Sequence, residues 1–444
     1  MKKGVLLVFA AFMFFGTLPL FAGGGGEKQQ PAAKGKSGTI TLWSTMTQTE
    51  RAKAFDDLAR VYEKENPGVT VKVEVMPWDG TMDKVVASIM AKNPPEITLH
   101  GSGWPQTLAG TGGILEMDEL INEIGGTGKF LQMALDLGKY ETSYYSVPLY
   151  VTPYITMYRK SYLEKAGITK LPTTWEEFYT MCKAVTDPGK NIYGFGAPMT
   201  DIHSWKTIWV FLQSNNVNLV NADSGGNWRV DVSPEDRAAI IEVYDYLYRL
   251  IKDCSPAGLI GYNQTNVREL VAKGTIMSRI DTPEIYYDVR ALKDDATLKD
   301  IAYFSFPGRK RIGSGTGWVG MGIQKDSNVD LAKDYIKWLY TGDRMVDFYA
   351  SYPYAMFPVL NETYKSSGYR AKLPDEIKPM LPDLALEILS HASGLMMTNG
   401  PFPFAGEVES RKIFANPLIN MFNKGITAAQ AADELIAETQ ALLN

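Results

Sequence analysis

The sequence predicts an α/β protein of two lobes, and three observations carry this. The chain has 444 residues with an ordinary balance of 45% hydrophobic and 21% charged side chains, too long for one core and enough for two or three domains. Segments of strict alternation and segments of helical spacing take turns along it, the mark of parallel-sheet units. These turns fall into two blocks, and no P-loop or G-x-G-x-x-G follows a strand: Gly101-Ser-Gly103 lacks the third glycine, and Trp104 would obstruct a pyrophosphate. A net charge of −5 lacks the basic face that a nucleic-acid partner requires. Two Cys and three His are too few for a zinc site or a disulfide framework, so neither metal nor cofactor is expected.

The first 22 residues read as a secretory signal. Lys2 and Lys3 precede an apolar run from Val5 to Phe15, with Ala22 at the cleavage position. Gly16, Thr17 and Pro19 come too early for a membrane span of about 20 apolar residues. Leu20-Phe21-Ala22-Gly23 is similar to a lipobox with Gly23 in place of the lipidated Cys, which leaves the mature protein unanchored outside the cytoplasm. Residues 1–22 hold two lysines and no acid, so cleavage takes the charge from −5 to −7. Residues 23–37 are a Gly/Lys/Gln/Ala tether without hydrophobic periodicity.

From Ser37 to Trp43 the chain alternates as a strand. Gln48 to Lys64 places Ala52, Phe55, Leu58, Ala59 and Tyr62 at helical spacing and stops at Asn66-Pro67-Gly68. Val69 to Val75 is a second strand, Asp83 to Lys92 a helix, and Ile97 to His100 a buried strand. The second block opens near Tyr150. It holds helices at Tyr158–Ala166, at Thr174–Val185 with Thr174 as N-cap, at 234–247 with Ser233 as N-cap and Pro234 at N1, and at Val267–Lys273. Tyr193–Gly196, Ile301–Phe306 and Val319–Ile323 read as strands, Leu331–Leu339 and Ala428–Leu443 as helices. Cys182 and Cys254 lie in helical patterns and read as two buried small hydrophobes; nothing in the sequence brings them together as a disulfide.

Seven blocks in order then match a known family. They are Phe55 with Tyr62-Glu-Lys-Glu-Asn-Pro-Gly68; Ala91 to Ile97, with Glu96 for the usual Asp; Gly113-Ile-Leu-Glu-Met-Asp118; Val147-Pro148-Leu149 with Tyr158 to Gly167, where Arg159 replaces an Asn; Pro172-Thr-Thr-Trp175-Glu-Glu-Phe178; Gly317-Trp-Val-Gly320; and Ala332, Ile336 and Leu339. By these the chain resembles the extracellular solute-binding proteins of ABC importers, in the maltose-binding-protein-like, sugar-binding group (family 1). The resemblance implies a two-lobed, type II-like periplasmic-binding-protein fold with three hinge crossovers and closure around a ligand. The crossovers are placed near Val151, Asp281 and Tyr340, which makes lobe one 38–150 plus 281–340 and lobe two 151–280 plus 341–444. The resemblance also implies a carbohydrate ligand, mono- or oligosaccharide, an ABC permease as partner and a monomer that binds without catalysis.

Sugar sites need aromatic faces and hydroxyl-directed polar groups. Trp43, Trp175 and Trp338 lie in strand or helix contexts and read as core, as does Trp209. Trp78, Trp104, Trp205 and Trp318 have Gly, Pro, Asp or Ser neighbours and read as loop tryptophans able to face a cleft or to pack. Strand ends in open α/β sheets carry ligands, which adds Ser102 beside Trp104. The resemblance implies further contacts from Ser44, Thr45, Thr47 and Glu50 after the first strand, where the alternative is helix capping. Tyr150, Thr152 and Asp281 are proposed at the crossovers, Gly317 beside Trp318, and Tyr354 and Phe404 in late Pro-rich loops. Three other functions stay open, one of them a sensory subunit that presents its ligand to a receptor. An anionic polyol such as glycerol phosphate would use Arg279 or Arg411. A secreted carbohydrate-active enzyme would need a carboxylate pair such as Asp79 with Asp83, or Glu242 with Asp245. Surface helices carry such pairs routinely, and neither an H-E-x-x-H nor a G-x-S-x-G motif occurs.

Overall fold

The structure is a computed structural model that describes residues 36–443 except 79, 224–225 and 293. The signal segment, most of the tether and one member of the Asp79–Asp83 pair lie outside the described residues. Two main sheets organise the chain. The first holds β1 (Gly38–Ser44), β2 (Val69–Val75), β3 (Ile97–His100), β4 (Val147–Pro153) and, from much later, β9 (Thr316–Ile323). The second holds β5 (Ile155–Arg159), β6 (Tyr193–Phe195), β7 (Ile276–Asp281) and β8 (Ile301–Phe304). The first sheet runs β2-β1-β3-β9-β4, with β1 parallel to β2 and β3, and β9 antiparallel to β3 and β4. The second runs β8-β5-β7-β6, with β5 antiparallel to both neighbours and β7 parallel to β6.

Local sequence accounts for the parallel half of the first sheet. The helix Thr49–Glu65 buries Arg51, Ala54, Phe55, Ala59 and Tyr62, one stripe at helical spacing. It ends at Asn66, and Gly68 takes φ +103° to turn the chain into β2. In the second lobe, Thr174 and Glu177 form a reciprocal capping box at the helix Trp175–Val185. Ser233 and Asp236 do the same at Pro234–Cys254, with Pro234 inside the first turn. Cys182 and Cys254 are buried and free, and burial pushes both thiols up, Cys254 to about 12.

The tertiary division departs from the expected one at two crossovers. The first passage, between β4 and β5, falls within a few residues of Val151. The second is not at Asp281. β8 lies inside the stretch assigned to lobe one, yet it pairs with β5 in the second sheet, where Phe304 packs on Tyr158 and Phe178. β5 has two open edges, and β7 and β8 take one each, so the return to the first sheet waits until 305–315. The third is not at Tyr340. The helix Arg344–Ser351 sets Phe348 on Phe55 at 5.2 Å and pairs Arg344 with Glu65 at 2.9 Å. Residues 357 and 360 bridge to 151 and 130, so this segment completes the first lobe. The chain then returns to the second lobe, where Asn399 donates to the Val220 carbonyl and Phe402 packs on Trp228. The helices Ala405–Ser410, Ala415–Lys424 and Ala428–Gln440 follow, with Phe422 on Tyr248 and Tyr244 donating to the Phe414 carbonyl. Among the described residues, no helix is long and apolar enough to cross a membrane.

Candidate functional site

A cavity of about 460 Å³ opens between the two sheets. Its walls come from strand ends, as the rule for open sheets requires: Pro77 and Trp78 after β2, Gly101, Ser102 and Trp104 after β3, and residues 201–206 after β6. β4 adds Tyr150 and Thr152, β9 adds Gly317, Trp318 and Val319, and Thr282 and Glu284 follow β7.

The aromatic wall is positioned by glycines. Trp78 and Trp104 meet edge to face at 5.8 Å. A Cβ on Gly101 would stand 3.0 Å from the Trp78 ring, so a side chain there would push the ring away. Gly103, at φ +81°, starts the helix Trp104–Gly110 and permits a close approach from the far lobe, because a Cβ there would meet Ala405 Cβ and the Gly406 nitrogen at 3.3 Å. Trp318 donates its Nε1 hydrogen to the Ala134 carbonyl at 2.9 Å and lies across Gly320, where a Cβ would come within 2.5 Å of the ring. From the second lobe, Trp205 packs edge to face on Tyr154 at 5.6 Å.

A band of charge runs beneath these rings. Arg51 is ion-paired with Glu284 and sits 4.8 Å from the Tyr352 ring centre and 5.8 Å from that of Tyr150. Arg268 reaches Glu284 at 3.3 Å and Asp281 at 3.3 Å. Asp281 also meets Arg279, and Lys206 at 3.4 Å. Burial opposes ionisation of Asp281, but Arg279, Lys206 and Arg268 overcome it and hold the carboxyl well below the usual range. Burial lowers Lys206 against the pull of Asp281. Burial, with Lys206 beside it, also keeps His203 well below the ordinary imidazole value. Glu409, from the helix Ala405–Ser410, lines the cavity too. Burial pushes its carboxyl up to about 8, against the attraction of Lys206.

The cavity brings together Trp78, Ser102, Trp104, Tyr150, Thr152, Trp205, Gly317 and Trp318. Seven other candidates stand elsewhere. β1 extends to Ser44, so Ser44 and Thr45 are buried beneath the cleft, and the Ser44 Oγ accepts from the Met46 amide. Thr47 and Glu50 are exposed because the inward stripe of the helix begins at Arg51. Asp281 is consumed by its three cations. Tyr354 is stacked on Tyr286 at 3.7 Å, and Phe404 packs on Phe402. The four tryptophans are also not loop residues in the main: Trp104 and Trp205 begin helices and Trp318 lies within β9. Of those read as core, Trp175 and Trp209 are buried. Trp43 and Trp338 are half-exposed, Trp43 beneath Lys84 and Trp338 beneath Arg344. Sequence reasoning missed Arg51, Tyr154, Asp201, His203, Lys206, Glu284 and Glu409. Residues 201–206 follow the strand Tyr193–Phe195 and so fall under the strand-end rule, whereas no sequence signal marks Glu284 or Glu409.

A family model described as bacterial extracellular solute-binding protein matches residues 43–343. A binding protein of Brucella abortus is 23% identical over 257 residues, 57% of this chain; the match spans only 60% of that relative's length. The diacetylchitobiose binding protein DasA of Streptomyces coelicolor is 26% identical over 353 residues, 74% of this chain and 76% of its own. Two solved structures share the fold at 20% identity. A solute-binding protein of Thermotoga lettingae bound with α-D-tagatose has a TM-score of 0.75, with 92% of this chain and 100% of that one covered. Maltose-bound MalE3 of T. maritima has 0.73, with 91% and 99% covered. A family match that runs from the first strand through the last strand of the first sheet, over two α/β lobes that enclose one cleft, makes the chain a member of the bacterial extracellular solute-binding protein family.

Proposed function

We propose that the chain is the extracytoplasmic substrate-binding subunit of an ABC importer, which captures a sugar between its lobes and hands it to the permease unchanged. One observation carries this reading: tryptophans from both lobes face a single cavity of small-molecule size. Trp78, Trp104 and Trp318 stand on one side, Trp205 with Tyr154 on the other. Aromatic faces suit the C–H surfaces of a sugar ring, while Ser102, Thr152, Arg51 and the carboxylates suit its hydroxyls. The ligands named for DasA and for the tagatose- and maltose-bound neighbours support a saccharide. The anionic alternative loses the two cations expected for it, because Arg279 is fully buried against Asp281 and Arg411 pairs with Glu438, while the cavity's own Arg51 and Lys206 are paired with Glu284 and Asp281. Lobe one comprises 38–153 plus 316–390 and lobe two 155–304 plus 405–443. Residues 154, 305–315 and 391–404 cross between them and bend as the lobes close. The protein acts as a monomer after its leader is removed.

Thermal-shift screening tests this reading, since a ligand that binds the folded state raises its apparent stability. A panel of mono- and oligosaccharides, glycerol phosphates and peptides is expected to give shifts with saccharides. Shifts with anions alone would defeat the sugar assignment. Turnover of any saccharide would defeat binding without conversion.

A further inference from the structure

Three carboxylates reach the cavity wall: Asp201, Glu284 and Glu409. Asp201 accepts the His203 amide at 3.0 Å and the Gln264 amide at 2.6 Å. Glu284 is held by Arg51 and Arg268. The Glu409 carboxyl has neither a hydrogen bond nor an ion pair among the described residues, and Lys206 is the charge that offsets its burial. Lys206 is itself turned to Asp281.

The position of Glu409 makes this lack consequential. Its helix, Ala405–Ser410, begins where Gly103 of the opposite lobe touches Ala405 and Gly406. The contact joins the segment that carries Glu409 to the loop that carries Ser102 and Trp104. In the structure the carboxyl is half-buried on the cavity wall with neither a hydrogen bond nor an ion pair among the described residues. An ionised carboxylate resists removal from water without a partner, so closure over a ligand favours the protonated form.

We propose that Glu409 is a specificity-determining residue of the cleft: closure seals its carboxyl in the protonated form, which donates one hydrogen bond to a ligand hydroxyl and accepts another, so that capture takes up one proton. This rests on the reading of the cleft as a sugar site. The groups that face Glu409 do not supply the proton by another route. His203 is held neutral by burial and by Lys206. Tyr154 is pushed up by burial and by Glu409 itself. Asp281 stays ionised among Arg279, Lys206 and Arg268. On its own helix, Glu407 is exposed, and Arg411 just beyond is paired with Glu438. The Ser102–Trp104 side brings no titratable group. Above about pH 4.3, the value of a glutamate in water, the open form has lost this proton. With Gly103 against Ala405 and Gly406, as in the structure, burial pushes the carboxyl up to about 8. Ligand affinity therefore falls about tenfold per pH unit as pH rises between these limits, and levels off above them. A ligand that presents an ammonium group to Glu409 would instead hold it ionised and take up no proton.

Calorimetric titration of the full chain with maltose and with diacetylchitobiose at pH 6.5, in phosphate and in Tris, tests the proposal. The wild type is expected to show a buffer-dependent heat equal to nearly one proton taken up per ligand. Glu409→Gln is expected to lose that difference and the pH dependence of affinity together, while Glu407→Gln, exposed on the same helix, keeps the difference. Heat independent of buffer in the wild type, or buffer dependence retained in Glu409→Gln, overturns the proposal. If no saccharide binds, the sugar reading has failed and this proposal falls with it, an outcome distinct from saccharide binding without proton uptake.

Discussion

Truncation of Trp78 separates ligand contact from folding better than truncation of its neighbour. Trp104 is only 9% exposed and belongs to a small core with Val85, Leu108 and Ile114. Trp104→Ala would therefore destabilise by about 3–5 kcal/mol whatever its role in binding. Trp78 is half-buried, rests over Gly101 and meets Trp104 only by its edge. Loss of that edge-to-face contact is worth about 0.5–1.5 kcal/mol. A ligand that covers roughly 60 Å² of the ring gains about 1.5 kcal/mol from it, about tenfold in Kd. Trp78→Ala should thus lower the melting temperature modestly and weaken saccharide binding by about tenfold, measured by calorimetric titration beside a chemical denaturation curve. Trp338→Ala is the control. Its ring lies on the outside of the first lobe, between Arg344 and Tyr335, with Nε1 donating to Glu65. It should cost some stability and leave affinity untouched. Unchanged affinity in Trp78→Ala, or lost affinity in Trp338→Ala, would refute the assignment of the cleft.

Three other substitutions probe the frame around the site. Gly103→Ala forces a side chain into a left-handed backbone and against Ala405 and Gly406, a strain of about 1–3 kcal/mol; weaker ligand binding and a larger radius of gyration with ligand, by small-angle scattering, are expected. Asp281→Asn leaves Arg279, Lys206 and Arg268 without their shared anion and should destabilise by about 3–5 kcal/mol in urea denaturation. Because the folded carboxyl is held below its unfolded value, its contribution is fully present above about pH 3.9 and is lost as pH falls from there toward the folded value. Acid unfolding between pH 4 and 2 should therefore steepen in the wild type relative to Asp281→Asn. Gly320→Val drives a side chain into the Trp318 ring and should weaken ligand binding with a blue- or red-shifted tryptophan emission that the wild type lacks.

The parts of the fold that were legible are those whose signal is local. The two caps at Thr174 and Ser233, the stop at Asn66-Pro67-Gly68 and the alternation of Val69–Val75 all report on neighbours in the chain, and each element starts within a residue or two of its expected place. The missed strands tell why the rest was not legible. β4, β5 and β7 are buried almost throughout, so they have no alternation to display, and a continuous apolar run reads equally as helix. The helix expected from Tyr158 begins only at Lys160, because Tyr158 and Arg159 are the last two residues of β5. The crossovers failed for a related cause, because alternation identifies a strand but not the edge it joins: nothing in Ile301–Phe304 says that its partner is β5 rather than β9.

The site divides along the same line. Tryptophans are rare and their neighbours informative, so all four singled out reach the cavity. Charged residues are common, and their roles depend on which partner the fold supplies. Glu50 and Arg51 are adjacent, yet a rotation of about 100° along the helix sends one to solvent and the other to the cleft floor. Asp281 and Glu409 differ in the opposite sense. The first looked like a ligand contact and is saturated by three cations, whereas the second carried no signal and is a cavity carboxylate without a hydrogen bond or ion pair among the described residues. Binding capacity in such a cleft is what remains after internal pairing is complete. It becomes visible only when every charge has been traced to its partner, and that tracing needs the tertiary structure.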